Sequence, residues 1–88
     1  MKLIIAIIKD ADNDAVSRAL TKRDFRVTLI ASTGGFLRSG RSTLLVGVED
    51  DQVEAALDII RSACKKPKDD KEKRATIFVL KVDQFTQL

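Results

Sequence analysis

The chain has 88 residues, 44% hydrophobic and 33% charged, with a formal net charge of +3. That composition is globular rather than disordered, and the length suits one domain over residues 1–88. It has no His, Trp or Tyr and a single Cys, which excludes His-dependent nucleophilic or metal sites, Cys₄ zinc sites and paired-cysteine redox chemistry. No catalytic residue, metal site or cofactor is expected.

Residues 2–9, KLIIAIIK, are a short Ile-rich run and predict a strand apolar on both faces. The apolar part, Leu3–Ile8, is too short for a membrane span or the core of a signal peptide. Over 10–24 the period changes: Ala15, Val16, Ala19 and Leu20 form one helical stripe, with Asp10 or Asp12 as the cap. Residues 25–32, FRVTLIAS, predict a second strand. Phe25, Val27, Leu29 and Ala31 then share one face, and Arg26, Thr28, Ile30 and Ser32 the other.

Residues 33–41, TGGFLRSGR, are a loop holding three of the four glycines. Residues 42–49, STLLVGVE, predict a third strand with Gly47 inside it. Over 52–65, Val53, Leu57, Ile60 and Cys64 are spaced for a helix, and Asp51 with Glu54 resembles a capping box. Cys64 reads as a small buried hydrophobe, and a lone free thiol suits a reducing, cytoplasmic setting. Lys65–Arg74, KKPKDDKEKR, carries six bases and three acids, and the remaining chain carries ten of each. The whole net charge therefore sits in one solvated segment, whose interspersed acids argue against a nucleic-acid patch. Residues 74–82, RATIFVLKV, predict the last strand, and DQFTQL a short tail.

The order β-α-β-β-α-β predicts an α+β, ferredoxin-like fold: a four-stranded antiparallel sheet with two helices on one face. Strands 1 and 4 are apolar on both faces, yet two helices cover only one. The other face would leave an apolar patch in water, so further copies of the chain are expected to cover it.

The segment Ser32–Arg41 has no acid, two Arg, two adjacent Gly and three hydroxyls. Backbone N–H groups near glycines form anion-binding nests, and Arg26 would add a guanidinium fork. The plainer reading is a hairpin loop with Phe36 and Leu37 packed locally. Neither standard phosphate-loop glycine pattern is present.

The opening MKLIIAIIKDAD, the run FRVTLIASTGGFLRSGRSTLLVGVEDDQV and the closing ATIFVLKVDQFTQL together cover nearly the whole chain. In them the chain resembles the PII-like cyclic di-AMP receptor proteins. The resemblance implies a non-enzymatic homotrimer with the nucleotide in clefts between subunits and a target protein not identified by the sequence. The binding positions it carries over are Arg26, Thr28, Gly35, Phe36, Leu37, Gly47, Phe78 and Gln87. It implies that Arg26 and Thr28 contact phosphate or ribose, that Phe36 stacks on adenine with Leu37 closing the cleft, and that Gly47 admits the ligand to the backbone. Phe78 and Gln87 would contribute from the last strand and tail. Each also has a plainer reading: Phe78 as core, Arg26 as a surface ion pair, Gln87 as free tail.

Two positions depart from the family pattern. Arg41 stands where GGFLRxGN has Asn, and Arg donates where an amide both donates and accepts. The segment before the last strand, long in the family, is only KKPKDDKEKR here. An alternative function follows: a PII-like interaction protein whose altered pocket takes another nucleotide or none. Other users of this fold fit poorly. RNA-recognition modules need aromatics on strands 1 and 3, nucleoside diphosphate kinases a His, and metal chaperones a Cys pair.

Overall fold

The computed structural model describes residues 1–33, 40–66 and 73–88. Gly35, Phe36 and Leu37 lie outside the described residues, as does most of the 65–74 charge run. The elements are β1 (Lys2–Lys9), a 3-10 turn (Asp10–Asp12), α1 (Asn13–Lys22), β2 (Arg26–Ser32) and β3 (Arg41–Val48). A second 3-10 turn (Asp50–Gln52), α2 (Val53–Ala63) and β4 (Ala75–Lys81) follow. The strands form one sheet in the order β2-β3-β1-β4, with every neighbouring pair antiparallel. This is the ferredoxin-like arrangement expected from the element order.

The core lies between the sheet and the helices. Ile4, Ala6 and Ile8 of β1 and Leu44 and Val46 of β3 are fully buried against Val16, Leu20, Ala56 and Ile60 of the helices. Cys64 completes this cluster at 5% exposure, buried as expected, although α2 ends at Ala63 and Cys64 itself is extended. Burial, and next the charge of Asp12, push its thiol up to about 11, against a lowering by Arg74. It is a packed hydrophobe, not a thiolate nucleophile.

The opposite face of the sheet carries Leu3, Ile5 and Ile7 of β1, Leu45 of β3 and Phe78 and Leu80 of β4, by register. Among the described residues, no helix packs on it. The β1 residues are half-buried by their strand neighbours, while Phe78 and Leu80 are exposed at 51% and 47%. β1 is therefore closed on one face only within the chain.

Three local expectations are corrected. First, neither Asp10 nor Asp12 caps α1 with its side chain. Asp10 instead accepts hydrogen bonds from Ser32 and Ser42. Asp12 accepts from the Lys65 N–H at 3.3 Å through Oδ1, while its buried Oδ2 has no partner among the described residues. Tertiary donors outcompete the local cap. Second, the capping box belongs to Glu49 and Gln52, two residues earlier than Asp51 and Glu54. Third, the β2–β3 register slips between Leu29 and Ala31, leaving Ile30 as the extra residue of a bulge. Beyond it the faces exchange: Ala31 opposes Thr43 on the open face, and Ser32 opposes Ser42 on the helix side.

The end of α1 is a Schellman turn. The Phe25 N–H donates to the Leu20 carbonyl and the Asp24 N–H to the Thr21 carbonyl, with Phe25 and Leu20 both in the core. Asp24 occupies the left-handed position, at φ 66°. Glycine holds that conformation without a Cβ penalty, so Asp24→Gly is expected to stabilise the fold by about 0.5–1 kcal/mol, net of the entropy glycine adds to the unfolded chain. Thermal melting checks this. An unchanged or lowered Tm would show that the Asp24 side chain contributes more than its strain costs.

Candidate functional site

β1 runs from one end of the sheet, called here the lower end, to the other. The tail after β4 returns to that lower end, where the Val82 N–H donates to the Met1 carbonyl at 3.1 Å. The Met1 amino group also lies 3.0 Å from the Asp50 carboxylate. Its hydrogen bond and charge, with help from Lys2 and Lys81, hold the Asp50 carboxyl below its ordinary range.

A cavity of about 440 Å³ opens between the lower end of the sheet and this tail. Four of the sequence-predicted positions line it: Arg26, Thr28, Gly47 and Gln87. They come from β2, β3 and the tail. Arg26 is opposite Gly47, and Thr28 opposite Leu45, across the β2–β3 ladder. Arg26, Thr28 and Gly47 therefore belong on the open side of the sheet, and Gln87 reaches the cavity from the tail. A Cβ built on Gly47 meets nothing within 4 Å. Within the chain, then, the missing side chain leaves room in the cavity and relieves no clash.

The remaining lining makes the cavity amphipathic. Leu3, Leu45, Val82 and Phe85 supply apolar surface, and Gln52 a second amide beside Gln87. Lys2 and Arg26 are its cations and Asp24 its anion. Such a mixture suits a ligand with flat apolar rings and anionic groups, the rings on aliphatic and aromatic surface and the anions on Arg and Lys. Phe85 was missed by sequence reasoning, which took only Gln87 from the tail DQFTQL. An aromatic residue in so polar a tail was the available signal, and it is 62% exposed on the cavity wall.

Other predicted positions lie elsewhere. Phe78 is on the open face of edge strand β4, opposite Ile5, and does not line the cavity. Arg41 opens β3 at the upper end of the sheet, beside Ile7, Lys73, Ala75 and Thr76. Neither Arg41 nor Lys73 has an ion-pair partner among the described residues. Gly47 stands six positions after Arg41 along β3, which is roughly 20 Å of extended strand. One chain therefore carries two cationic clusters at opposite ends of the sheet. A wider groove, about 750 Å³, runs between α1 and α2 and contains none of the predicted positions.

Comparison with known proteins agrees with the resemblance read from the sequence. The family described as "Cyclic-di-AMP receptor" matches residues 1–72. Among solved structures, the chain is similar to a functionally unknown protein from Pediococcus pentosaceus ATCC 25745. The two are 34% identical with a TM-score of 0.81, over 99% of this chain and 96% of the other. Among the described residues, no helix is long and apolar enough to cross a membrane.

Proposed function

The chain belongs to the cyclic-di-AMP receptor family, and on that premise we propose that it is a non-enzymatic, PII-like signalling protein of the cytoplasm. It is one domain over residues 1–88, assembles as a homotrimer, and binds cyclic di-AMP at the clefts between its subunits. Its output passes to a target protein.

The observation that carries this reading is the convergence of Arg26, Thr28, Gly47 and Gln87, from three separate segments, on one amphipathic cavity. The placement between subunits is supported by the other half of the geometry. Arg41 lies roughly 20 Å from Gly47 along β3. A single nucleotide site using both ends needs the lower end of one subunit and the upper end of the next. The uncovered apolar face of the sheet supplies the contact that would bring them together. Each cyclic dinucleotide has two phosphates, and each half-site has its own cations: Lys2 and Arg26 below, Arg41 and Lys73 above.

A second reading rests on Arg41. Adenine offers an acceptor at N7 and a donor at N6, which an amide matches, whereas guanine offers two acceptors, which Arg matches. If Arg41 faces the base, adenine is read less well than in a receptor with Asn there, and another nucleotide is accepted. Isothermal titration of the parent and Arg41→Asn with cyclic di-AMP and cyclic di-GMP tests both readings. The expected result is that the parent binds cyclic di-AMP and that Arg41→Asn tightens binding about tenfold, the lower range for one bidentate base contact. A parent that prefers cyclic di-GMP supports the second reading. A parent that binds neither overturns both.

A further inference from the structure

We propose that Asp10 is the positioning residue of Arg41: gripping the end of β2 and the start of β3, it sets where Arg41 stands, and through it the affinity for the ligand. This rests on the reading of Arg41 as part of the nucleotide site.

Asp10 is only 5% exposed, at the point where β1 gives way to the 3-10 turn. A buried carboxylate costs several kcal/mol unless donors satisfy it. Here the donors come from both sides of the loop. Ser32, the last residue of β2, donates its hydroxyl to Asp10 Oδ1 at 2.6 Å. Ser42, the second residue of β3 and fully buried, donates to the same oxygen. The Asp10 N–H donates to the Gly40 carbonyl at 2.9 Å. One residue thus holds three points that flank the loop.

Two further bonds close the root. The Thr33 N–H donates to the Arg41 carbonyl at 2.9 Å, and the Arg41 N–H donates to Thr33 Oγ1 at 2.8 Å. Arg41 is therefore fixed from both directions along the chain: by Thr33 across the root, and by Ser42 next to it on Asp10. Side chains alternate along a strand, so Arg41 leaves on the face opposite Ser42. Pinning Ser42 inward holds Arg41 outward, on the ligand side.

The β2 bulge makes this grip possible. With Ile30 in regular register, Ser32 would fall on the open face and could not reach Asp10. The irregularity brings a hydroxyl from β2 to the carboxylate that already holds β3. A ladder alone would pair these strands. What the carboxylate adds is a fixed lateral position for the two ends, from a third strand.

The test compares Ser32→Ala, Ser32→Thr and Asp10→Asn with the parent, at a temperature where circular dichroism shows all of them folded. Ser32 is exposed in part and outside the apolar core, so its removal spares the fold. Cyclic di-AMP affinity is read by isothermal titration, and amide hydrogen exchange at Thr33 and Arg41 by NMR. Ser32→Ala is expected to weaken binding about tenfold, the lower range for a lost hydrogen bond to a charged group. It should speed exchange at both amides and leave the Tm within a few degrees. Ser32→Thr, which keeps the hydroxyl, should restore both. Asp10→Asn should exceed Ser32→Ala in both readouts. Ser32→Ala with the parent's affinity and exchange rates overturns the proposal. So does an affinity loss that Ser32→Thr shares, because that follows bulk and not the hydrogen bond. If the parent binds no cyclic dinucleotide, the functional reading falls. Exchange then decides the grip by itself, and unchanged rates at Thr33 and Arg41 overturn it.

Discussion

Gly47→Val is expected to abolish binding of cyclic di-AMP, by a factor of about 100 or more, while leaving the fold at least as stable. The two halves of this expectation have separate causes. Gly47 is the penultimate residue of β3, opposite Arg26 on one side and Leu3 on the other. A Cβ added there meets nothing within 4 Å. Valine is favoured on a pleated surface, and it removes the entropy cost of glycine, so the strand gains up to about 1 kcal/mol. The three added carbons instead enter the cavity beside Arg26 and Thr28, where the ligand would approach the backbone. A substitution that stabilises the protein and eliminates binding separates a site from a packing defect. Titration with cyclic di-AMP and thermal melting of the same samples check it. Unchanged affinity in Gly47→Val would place the ligand away from this cavity.

The element order was legible because each element carries a local period. KLIIAIIK and RATIFVLKV read as strands from their apolar runs, and the stripes of Val16 with Leu20 and of Ala56 with Ile60 gave the helices. The bare second face was legible too, since Leu3, Ile5 and Leu80 had no helix left to cover them. What failed was decided by partners distant in sequence. Asp10 looked like a cap because capping is the local use of an Asp before a helix. Ser32 and Ser42, 22 and 32 residues away, take its oxygen instead. The bulge at Ile30 leaves the composition of β2 unremarkable, because register is a property of two strands. For the site, the sequence named Arg26, Thr28, Gly47 and Gln87, which converge, and Arg41 and Phe78, which stand apart from them. Alternation places residues on faces but does not say which end of which subunit they meet. Phe85 escaped because a tail has no period from which to read its direction.

Leu80→Glu is expected to convert the proposed trimer into monomers at micromolar concentration, and to remove nucleotide binding with it. Leu80 is on the open face of β4, opposite Leu3, and is 47% exposed in the isolated chain. It is outside the core between sheet and helices, so a charge there is solvated in the monomer and the subunit still folds. In the assembly the same carboxylate would be buried against apolar neighbours without a partner. That costs several kcal/mol for each subunit, and closed symmetry repeats the cost at every interface. Light scattering reads the mass, and titration reads the ligand. Coupled loss of both is the signature of a site built from two subunits, because the lower cavity of a monomer has Arg26 and Gly47 but no Arg41 within reach. A Leu80→Glu monomer that binds cyclic di-AMP as tightly as the parent would show that the lower cavity is sufficient. A parent that is itself monomeric would leave the apolar face without its proposed cover and rule out a site shared between subunits.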